Sequence, residues 1–318
     1  MSILITGASG FIGRALCLSL QQQQQAFIPI YRHAQAAAQF GFPNARYQAE
    51  IQPDSPWQVQ LAGVQVVLHL AARVHVMHDK ASDPLIEYRR SNRDATLNLA
   101  RQAAQAGVKR FVFLSSIKVN GEASLPGQPF RAAQTPHPLD PYGISKWEAE
   151  QALLQLGRDS GMEIVIIRPP LVYGPGVKAN FLQLMRWVEK GIPLPLASIK
   201  NQRSMVYLGN LLDLIVRCIH MPQAAGQTFL VSDGKDVSTA ELIRALAQAL
   251  HRPARLFSFP PALLKLAATM VRRQAAFERL SSSLQVDISA TCQTLHWQPP
   301  FSMQQGLALT AQSMHTAR

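Results

Sequence analysis

Cysteine is scarce in this sequence of 318 residues, which contains only Cys17, Cys218 and Cys292. The three lie far apart and none belongs to a CxxC pair, so the sequence offers neither a cysteine cluster for zinc nor a disulfide framework. We therefore expect no metal site. Free thiols suit a reducing compartment, and we expect a cytoplasmic protein.

Long apolar runs are also missing. No window approaches the roughly 18 uninterrupted apolar residues of a membrane-spanning helix. The first apolar run, Ile3 to Ile5, passes at once into Thr6-Gly7, which is typical of a strand and not of a signal peptide. We expect no stable membrane insertion.

One segment, from Pro260 to Leu280, is nevertheless basic and amphipathic. It either contacts a membrane surface or packs as a lobe helix on its neighbours, and we favour the second interpretation. The residues that define it are Leu263, Leu264, Lys265, Leu266, Met270, Val271, Arg272 and Arg273.

Acidic residues are few, 19 against 31 Lys and Arg, which gives a net charge of +12. Such a balance suits nucleic acid, a membrane surface or phosphate-bearing small molecules, or it reflects cations spread over a solvated surface. Because no run of five like charges occurs and no basic stretch alternates with aromatic residues, we expect no nucleic-acid partner.

What the first half does contain is a regular alternation of short apolar runs with helical patterns, which predicts a doubly wound parallel sheet of the Rossmann α/β type. The predicted strands are Ile3–Ile5, Phe27–Tyr31, Val64–Leu70, Arg110–Leu114 and Glu163–Ile167. The predicted helices between them are Arg14–Gln25, Asn92–Ala106 and Tyr142–Leu156.

The composition changes after Arg168-Pro169-Pro170, where prolines and glycines become frequent. Two further helical patterns follow, at Leu211–His220 and Thr239–Leu250. We predict a dinucleotide-binding domain over 1–170 and a smaller α/β substrate lobe over 171–318. Part of about 205–235 is expected to return to the sheet near Thr228–Val231.

A glycine loop follows the first strand and opens a helix. Its GxxGxxG spacing differs from the usual GxGxxG, but glycines here allow a tight turn and a close approach to a pyrophosphate, while the helix N-terminus offers free amides. The sequence therefore predicts a dinucleotide site at Gly7, Ser9, Gly10, Phe11, Ile12 and Gly13.

The second strand ends without the acidic residue that many NAD enzymes place against the ribose hydroxyls. Arg32 stands there instead, and Arg14 follows the third glycine. Both can hold a 2′-phosphate, which favours NADP(H), with NAD(H) as the alternative. Arg32 is otherwise an exposed cation at the end of a strand.

Tyr142 and Lys146 form a YxxxK pattern on a predicted helix, where residues four apart share a face. A nearby ammonium stabilises a phenolate, so we expect Lys146 to lower the pKa of Tyr142 towards working pH. Ser115-Ser116 ends the preceding strand, and a hydroxyl there can orient a substrate oxygen beside Tyr142.

Together these features resemble the extended short-chain dehydrogenase/reductases, the NAD-dependent epimerase/dehydratase group, over nearly the whole chain. The motifs stand in the family's order: TGASGFIG (6–13), HLAA (69–72), FVFLSSIKVNG (111–121), PYGISKWEAE (141–150), RPPLVYGPG (168–176), NQRSMVYLGNLLD (201–213) and LHWQPPFS (295–302). The last acidic residue of the family's RDxxxVxD segment is Asn210 here, a departure from the pattern.

The resemblance implies roles for individual residues. Tyr142 would be the acid/base, Lys146 would hold the ribose, and Ser116 would bind the sugar oxygen. Further cofactor contacts would come from Leu70, Ala71, Ala72 and Pro169. The substrate, a UDP-linked sugar, would contact Arg73, Ser116, Lys118, Asn180 and Arg203. Relatives pair through helices corresponding to about 92–106 and 142–156, so a homodimer is expected if those faces are not used against the chain's own sheet.

The resemblance leaves three functions open. Relatives that remove water across C5 and C6 carry STDEVYG at the strand end, and Ile117-Lys118 replaces their Asp-Glu pair, so dehydration is not expected. HLAARVHVMHD, EYRRSN, SSIKVNGE and VSDG resemble bacterial reductases of UDP-4-keto-6-deoxy-N-acetylhexosamines in surface-polysaccharide synthesis, and NAD(P)H-dependent reduction at C4 is favoured. A UDP-sugar 4-epimerase with retained NAD is the alternative, and a non-enzymatic dinucleotide sensor is a minor one.

Overall fold

The fold is described from a computed structural model, which covers residues 1–35, 37, 41–42, 44–74, 83–125, 127–270 and 274–316. Val271, Arg272 and Arg273 of the amphipathic segment lie outside these ranges. So do residues 75–79, the end of HLAARVHVMHD. Within the described ranges, no helix is long and apolar enough to cross a membrane.

A parallel sheet of seven strands forms the centre of the described structure, in the order β3-β2-β1-β4-β5-β6-β9. Its strands are β1 (Ile3–Thr6), β2 (Phe27–Tyr31), β3 (Arg46–Tyr47), β4 (Val66–His69), β5 (Arg110–Leu114), β6 (Glu163–Arg168) and β9 (Thr228–Leu230). A separate parallel pair is formed by β7 (Leu171–Tyr173) and β8 (Met205–Tyr207). This confirms the predicted doubly wound Rossmann-type sheet.

The helices surround that sheet and build the lobe beside it. They are α1 (Phe11–Gln22), α2 (Gln58–Leu61), α3 (Pro84–Tyr88), α4 (Ala95–Gln105), α5 (Pro141–Ser160), α6 (Ala179–Glu189), α7 (Leu208–His220), α8 (Thr239–Ala249), α9 (Pro261–Met270), α10 (Gln274–Ser281), α11 (Ser289–Leu295) and α12 (Met303–Thr316). A π-helical turn at Arg89–Asp94 joins α3 to α4, and 3₁₀ turns occur at Ile117–Val119 and Pro222–Ala224.

Alternation along each strand divides the apolar residues between two layers. In β1, Ile3 and Ile5 enter the core that also contains residues of α1 and α7, while Leu4 enters the core with α4 and α5. Both faces of the sheet are therefore covered, as a parallel sheet requires. The near-continuous apolar runs of the sequence follow from this double burial.

The smaller lobe has an apolar core of its own, drawn from α6, α8, α12 and the strand pair. Two elements beyond residue 170 nevertheless belong to the first domain. Strand β9 pairs with β6 in the central sheet, and helix α7 packs on one face of that sheet. The boundary at 170 stays a prediction, because the chain returns to the first layer after it.

The segment from Pro260 to Leu280 packs on the smaller lobe, as expected, but only along part of its surface. It forms two helices, α9 and α10, and Leu264 packs against the core of the smaller lobe. Leu263, Leu266 and Met270 are exposed instead. Helix α9 is therefore anchored through Leu264 on one side, while the apolar residues on its other side are exposed to solvent.

Candidate active site

The glycine loop turns directly after β1. Gly7 has a φ of +71°, and its carbonyl accepts a 2.9 Å hydrogen bond from the Gly10 amide. A Cβ on Gly7 would lie 2.8 Å from the Ala71 amide nitrogen, and one on Gly13 would lie 2.2 Å from the Gly7 oxygen. These close approaches explain the glycines, and they place the loop against the backbone that follows β4.

This arrangement fits the pyrophosphate of a dinucleotide. The loop lies where β1 is flanked by β2 and β4, the position at which a doubly wound sheet reverses its order and binds ligands. Gly10 is the N-cap of α1 and supplies no side chain, so the positive end of the helix faces the loop. Ala71 donates its amide to Thr6 Oγ1 at 3.3 Å, which fixes the second wall of the crevice.

Ser116 and Tyr142 meet at the end of β5. Ser116 caps the 3₁₀ turn Ile117–Val119, and Tyr142 lies in the first turn of α5, which Asp140 caps by accepting the Gly143 amide at 2.6 Å. A hydrogen bond joins the Ser116 and Tyr142 side chains and lowers the pKa of the phenol. Two local caps thus bring together two residues that lie 26 positions apart in the sequence.

Burial has the larger effect on Tyr142 and raises its pKa above the ordinary value, and the negative charge of Asp140 adds to the rise. The expectation that Lys146 lowers this pKa is wrong for this structure. Lys146 Nζ donates to the Leu114 carbonyl at 2.9 Å and lies 4.3 Å from the Phe113 ring centroid. Tyr142 is therefore a neutral phenol here.

Lys146 is 1% exposed, and its burial lowers the pKa of the ammonium to about 7, against a partial rise caused by Glu150. Beside it, His69 bridges two hydroxyls, Thr6 Oγ1 at 2.8 Å and Thr96 Oγ1 at 3.0 Å. Burial lowers the pKa of His69 to about 3, and the charge of Lys146 contributes. The imidazole is thus neutral and adds no cation to the site.

A buried ion pair lies close to Ser115 and Lys146. Arg168 at the end of β6 is 3% exposed and contacts Glu150 of α5, which is fully buried, at 2.5 Å. Glu150 also accepts the Ser115 hydroxyl at 2.5 Å, and Arg168 donates to Asn120 at 3.0 Å. The pair ties α5, β6 and the end of β5 into one network.

The π-helical turn brings Asn92 to the same side. Its side chain accepts the Arg73 amide at 2.8 Å and donates to Ser145 Oγ at 3.1 Å, so it links the chain after β4 to α5. The Arg73 guanidinium lies 5.6 Å from the Tyr88 ring centroid, and Tyr88 meets the Tyr142 ring edge-on at 6.1 Å. Arg73 and Tyr142 are thereby connected through the Tyr88 ring.

At the end of β5 the residues replacing a dehydratase's carboxylates are both engaged. Ile117 is 3% exposed and belongs to a small apolar cluster. Lys118 forms ion pairs with Asp140 and, at 3.5 Å, with Glu122. Pro169, a predicted cofactor residue, accepts the Ile117 amide through its carbonyl at 3.0 Å, so it lies at the same strand end.

The remaining predicted residues lie further out. Arg14 and Arg32 are exposed near the end of β2, and the charge of Arg14 acts on Tyr31, the last residue of that strand. Asn180 is exposed in the first turn of α6. Arg203 is partly buried in the smaller lobe and donates to the Ser282 carbonyl at 3.1 Å. Ser9 and Ala72 lie in the two loops that border the crevice.

Sequence reasoning missed five residues of this site: His69, Asn92, Asp140, Glu150 and Arg168. Two had a readable signal. Asp140 precedes Pro141, which is typical of an N-cap followed by proline at the first helical position. Arg168 ends a near-continuous apolar run, and a cation there needs a buried partner. The identity of that partner depends on the fold.

The glycine loop at the reversal of the sheet and the Ser116–Tyr142–Lys146 trio at the end of β5 define a dinucleotide-binding protein of the Rossmann class. The model of the NAD dependent epimerase/dehydratase family matches residues 3–232. The chain belongs to that family.

Individual relatives agree with this assignment. The chain is 49% identical to the UDP-glucose 4-epimerase of Vibrio cholerae over 98% of its own length and 95% of the relative's. It is 25% identical to the N-acetyl-alpha-D-glucosaminyl-diphospho-ditrans,octacis-undecaprenol 4-epimerase of Escherichia coli O157:H7, over 83% and 77% of the two chains. The fold matches that of a Bacillus cereus UDP-glucuronic acid 4-epimerase solved with UDP-glucuronic acid and NAD, with a TM-score of 0.80, 21% identity and full coverage of both chains.

Proposed function

We propose that this chain is a UDP-sugar 4-epimerase that exchanges hydride at C4 of a UDP-linked hexose. The observation that carries the proposal is the Ser116–Tyr142 hydrogen bond at the mouth of the dinucleotide crevice, with Lys146 buried beside it. The Vibrio cholerae relative, which is named for this activity and nearly half identical, favours the epimerase over the reductase that the sequence motifs favoured.

In this proposal the chain's own residues hold the sugar and move one proton. Ser116 orients the C4 hydroxyl, and Tyr142 takes its proton and later returns it. The glycine loop from Gly7 to Gly13 would hold a nicotinamide dinucleotide, which would supply reversible hydride acceptance and, when oxidised, a positive charge. That charge opposes the effect of burial, which raises the pKa of Tyr142.

The diphosphate needs cations on the substrate side. We assign this role to Arg203 and Arg73, with Asn180 as a hydrogen-bonding partner, because a guanidinium can pair two phosphate oxygens at once. Lys118 is already paired with Asp140 in the structure, so its contact with substrate would require exchange of that partner. The net charge of +12 suits an anionic substrate.

A reductase of UDP-4-keto sugars is the second candidate, and two observations favour it. Tyr142 is a neutral phenol, the form that donates a proton to a carbonyl oxygen. Arg14 and Arg32 flank the end of β2 where no carboxylate stands, which suits the 2′-phosphate of a dissociable NADPH. Replacing Arg32 by Ala is expected to weaken NADPH binding about tenfold while leaving NADH binding unchanged, if Arg32 holds that phosphate.

One experiment separates the two. The purified protein is incubated with UDP-glucose and, in parallel, with a UDP-4-keto-6-deoxyhexosamine and NADPH, and the products are resolved by chromatography. The epimerase produces UDP-galactose without net consumption of reductant. Consumption of NADPH with the keto sugar, and no interconversion of the hexoses, would replace the proposal by the reductase.

A further inference from the structure

Helix α9 leaves an apolar stripe in solvent. Leu263 is 50% exposed, Leu266 is 53% exposed and Met270 is 75% exposed. Their spacing of three and four residues places them on one side of the helix. Leu264, on another side, packs against the core of the smaller lobe, so the helix is anchored while the stripe stays uncovered.

Two aromatic residues extend this surface along the chain. Phe257 is 47% exposed and Phe259 is 37% exposed, at alternate positions of the stretch before α9. The backbone is held there, since the Phe257 amide donates to Leu194 and its carbonyl accepts from Ala197. Five large apolar side chains are thus exposed within 14 residues, which we call the apolar patch: Phe257, Phe259, Leu263, Leu266 and Met270. Such clusters mark binding surfaces.

Along the sequence that contains the apolar patch, the charged residues are of one sign. From Leu242 to Phe277 the sequence has six Lys or Arg and no Asp or Glu. Of these, Arg252 and Arg255 are exposed just before the patch in sequence, and Lys265 is exposed within it. Exposed aromatic and aliphatic side chains with flanking cations are the composition of segments that bind at the interface of anionic bilayers.

A second copy of the chain fits this surface less well. Symmetric pairing would bring two basic segments together, and like charges across an interface cost free energy. A bilayer that contains anionic lipids pairs the same cations with headgroups while the apolar side chains leave water.

We propose that the apolar patch docks this protein peripherally on an anionic lipid surface. Helix α9, with ten residues, is about 15 Å long, half the thickness of the hydrocarbon layer, so it lies along the interface. Lys265, Arg252 and Arg255 contact the headgroups. The surface belongs to the smaller lobe and includes none of the proposed catalytic residues. The membrane proposal can therefore be tested independently of the proposed reaction.

The test is vesicle flotation of the full chain. Vesicles of equal parts phosphatidylethanolamine and phosphatidylglycerol are compared with vesicles of phosphatidylcholine alone. The patch variant is Leu266→Glu with Met270→Glu. The matched control is Val59→Glu with Leu125→Glu, which replaces two other exposed apolar residues, 78% and 65% exposed, and changes the net charge equally.

We expect the wild type and the control to float with the anionic vesicles, and the patch variant to bind at least about tenfold more weakly. Phosphatidylcholine alone should retain less of the wild type. Equal loss in both variants, or no flotation of the wild type, overturns the proposal. So does a wild-type oligomer in light scattering that the patch variant dissociates, since the patch would then join two copies. Phe257→Ser with Phe259→Ser repeats the test without added charge.

Discussion

In the proposed function the chemistry depends on Tyr142 and Lys146, and burial shifts their pKa values in opposite directions. It raises the pKa of the phenol and lowers that of the ammonium to about 7. Both shifts favour the uncharged forms. Ionising the Tyr142 phenol, or protonating the Lys146 amine, therefore costs free energy in this site. Shifted pKa values of this kind are common in active sites.

Replacing Tyr142 by Phe removes the proton carrier and little else. We expect turnover of the sugar nucleotide to fall about 10²- to 10⁴-fold, the range for general acid–base groups. Cofactor binding, measured by fluorescence titration, should be retained, because the glycine loop is untouched. Turnover within a few-fold of the wild type would show that another group carries the proton.

Replacing Lys146 by Met should lower the activity and raise the free energy of unfolding. The unfolded lysine has a pKa near 10.5 and the folded one about 7, so between these values the unfolded chain binds more protons and stability rises with pH, by at most about 1.4 kcal/mol per pH unit. The variant lacks this buried ammonium, and at pH 7 its free energy of unfolding should be higher by about 1–3 kcal/mol.

Urea denaturation of the two proteins without cofactor, at several pH values from 7 to 10.5, measures this difference. The stability gap between variant and wild type should shrink as the pH rises. A gap that is constant across this window would mean that the lysine does not titrate there.

The sequence was sufficient to name Ser116, Tyr142 and Lys146, because each follows from local spacing and strand order. It was insufficient for the Glu150–Arg168 pair and for His69, since those contacts join residues 18 or more positions apart. The expected effect of Lys146 on Tyr142 also failed at this scale: the direction of a pKa shift depends on burial, which the pattern does not measure.

At the scale of elements, α1 begins earlier than its apolar periodicity predicts, at Phe11 and not Arg14. Gly13 thus lies inside the helix, where it allows α1 to pack against the Gly7 carbonyl. A glycine normally destabilises a helix. We attribute Gly13 to the close contact with the Gly7 carbonyl, which leaves no room for a Cβ.

Gly13→Ala should therefore disturb the crevice. The new Cβ would lie 2.2 Å from the Gly7 oxygen, so helix and loop must separate. We expect a loss of about 1–3 kcal/mol in stability and a weaker dinucleotide affinity. Calorimetric melting and cofactor titration measure both, with Gln21→Ala, an exposed change near the other end of α1, as the control. Unchanged affinity in Gly13→Ala would argue against a dinucleotide in this crevice.

The ion pair between α5 and β6 predicts strong coupling. Glu150→Gln or Arg168→Met alone leaves a buried charge without its partner and should cost about 3–5 kcal/mol. The double variant should cost clearly less than the sum of the two, because neither charge remains. A double-mutant cycle of unfolding free energies measures the coupling, and strict additivity would contradict the pairing.

The strands were predictable because burial on both faces produces continuous apolar runs, and β2 and β5 match their predicted ranges. The helix over Asn92–Ala106 was predicted in place, but not its first turn, which is π-helical and presents Asn92 to Arg73 and Ser145. Apolar periodicity carries no information on such a turn. The packing of α9 on the smaller lobe was expected, but not the exposure of Leu263, Leu266 and Met270, since amphipathicity does not show which partner covers a face.

At the scale of the whole molecule, the proposed function takes the dinucleotide crevice and the Ser116–Tyr142–Lys146 trio from the sheet, and Arg203 and Asn180 from the smaller lobe. Phe11, the first residue of α1, packs against the core of the smaller lobe, so the glycine-loop region contacts that lobe directly. The family model spans residues 3–232, which include both the glycine loop and the Arg203 segment.

Hydride transfer at C4 is best tested with UDP-glucose that carries deuterium at C4. We expect the wild type to convert it to UDP-galactose with the deuterium retained at C4, as read by NMR, and Tyr142→Phe to slow this conversion by at least about 10²-fold. Exchange of the deuterium with solvent during conversion, or conversion at equal rates in both proteins, would contradict it.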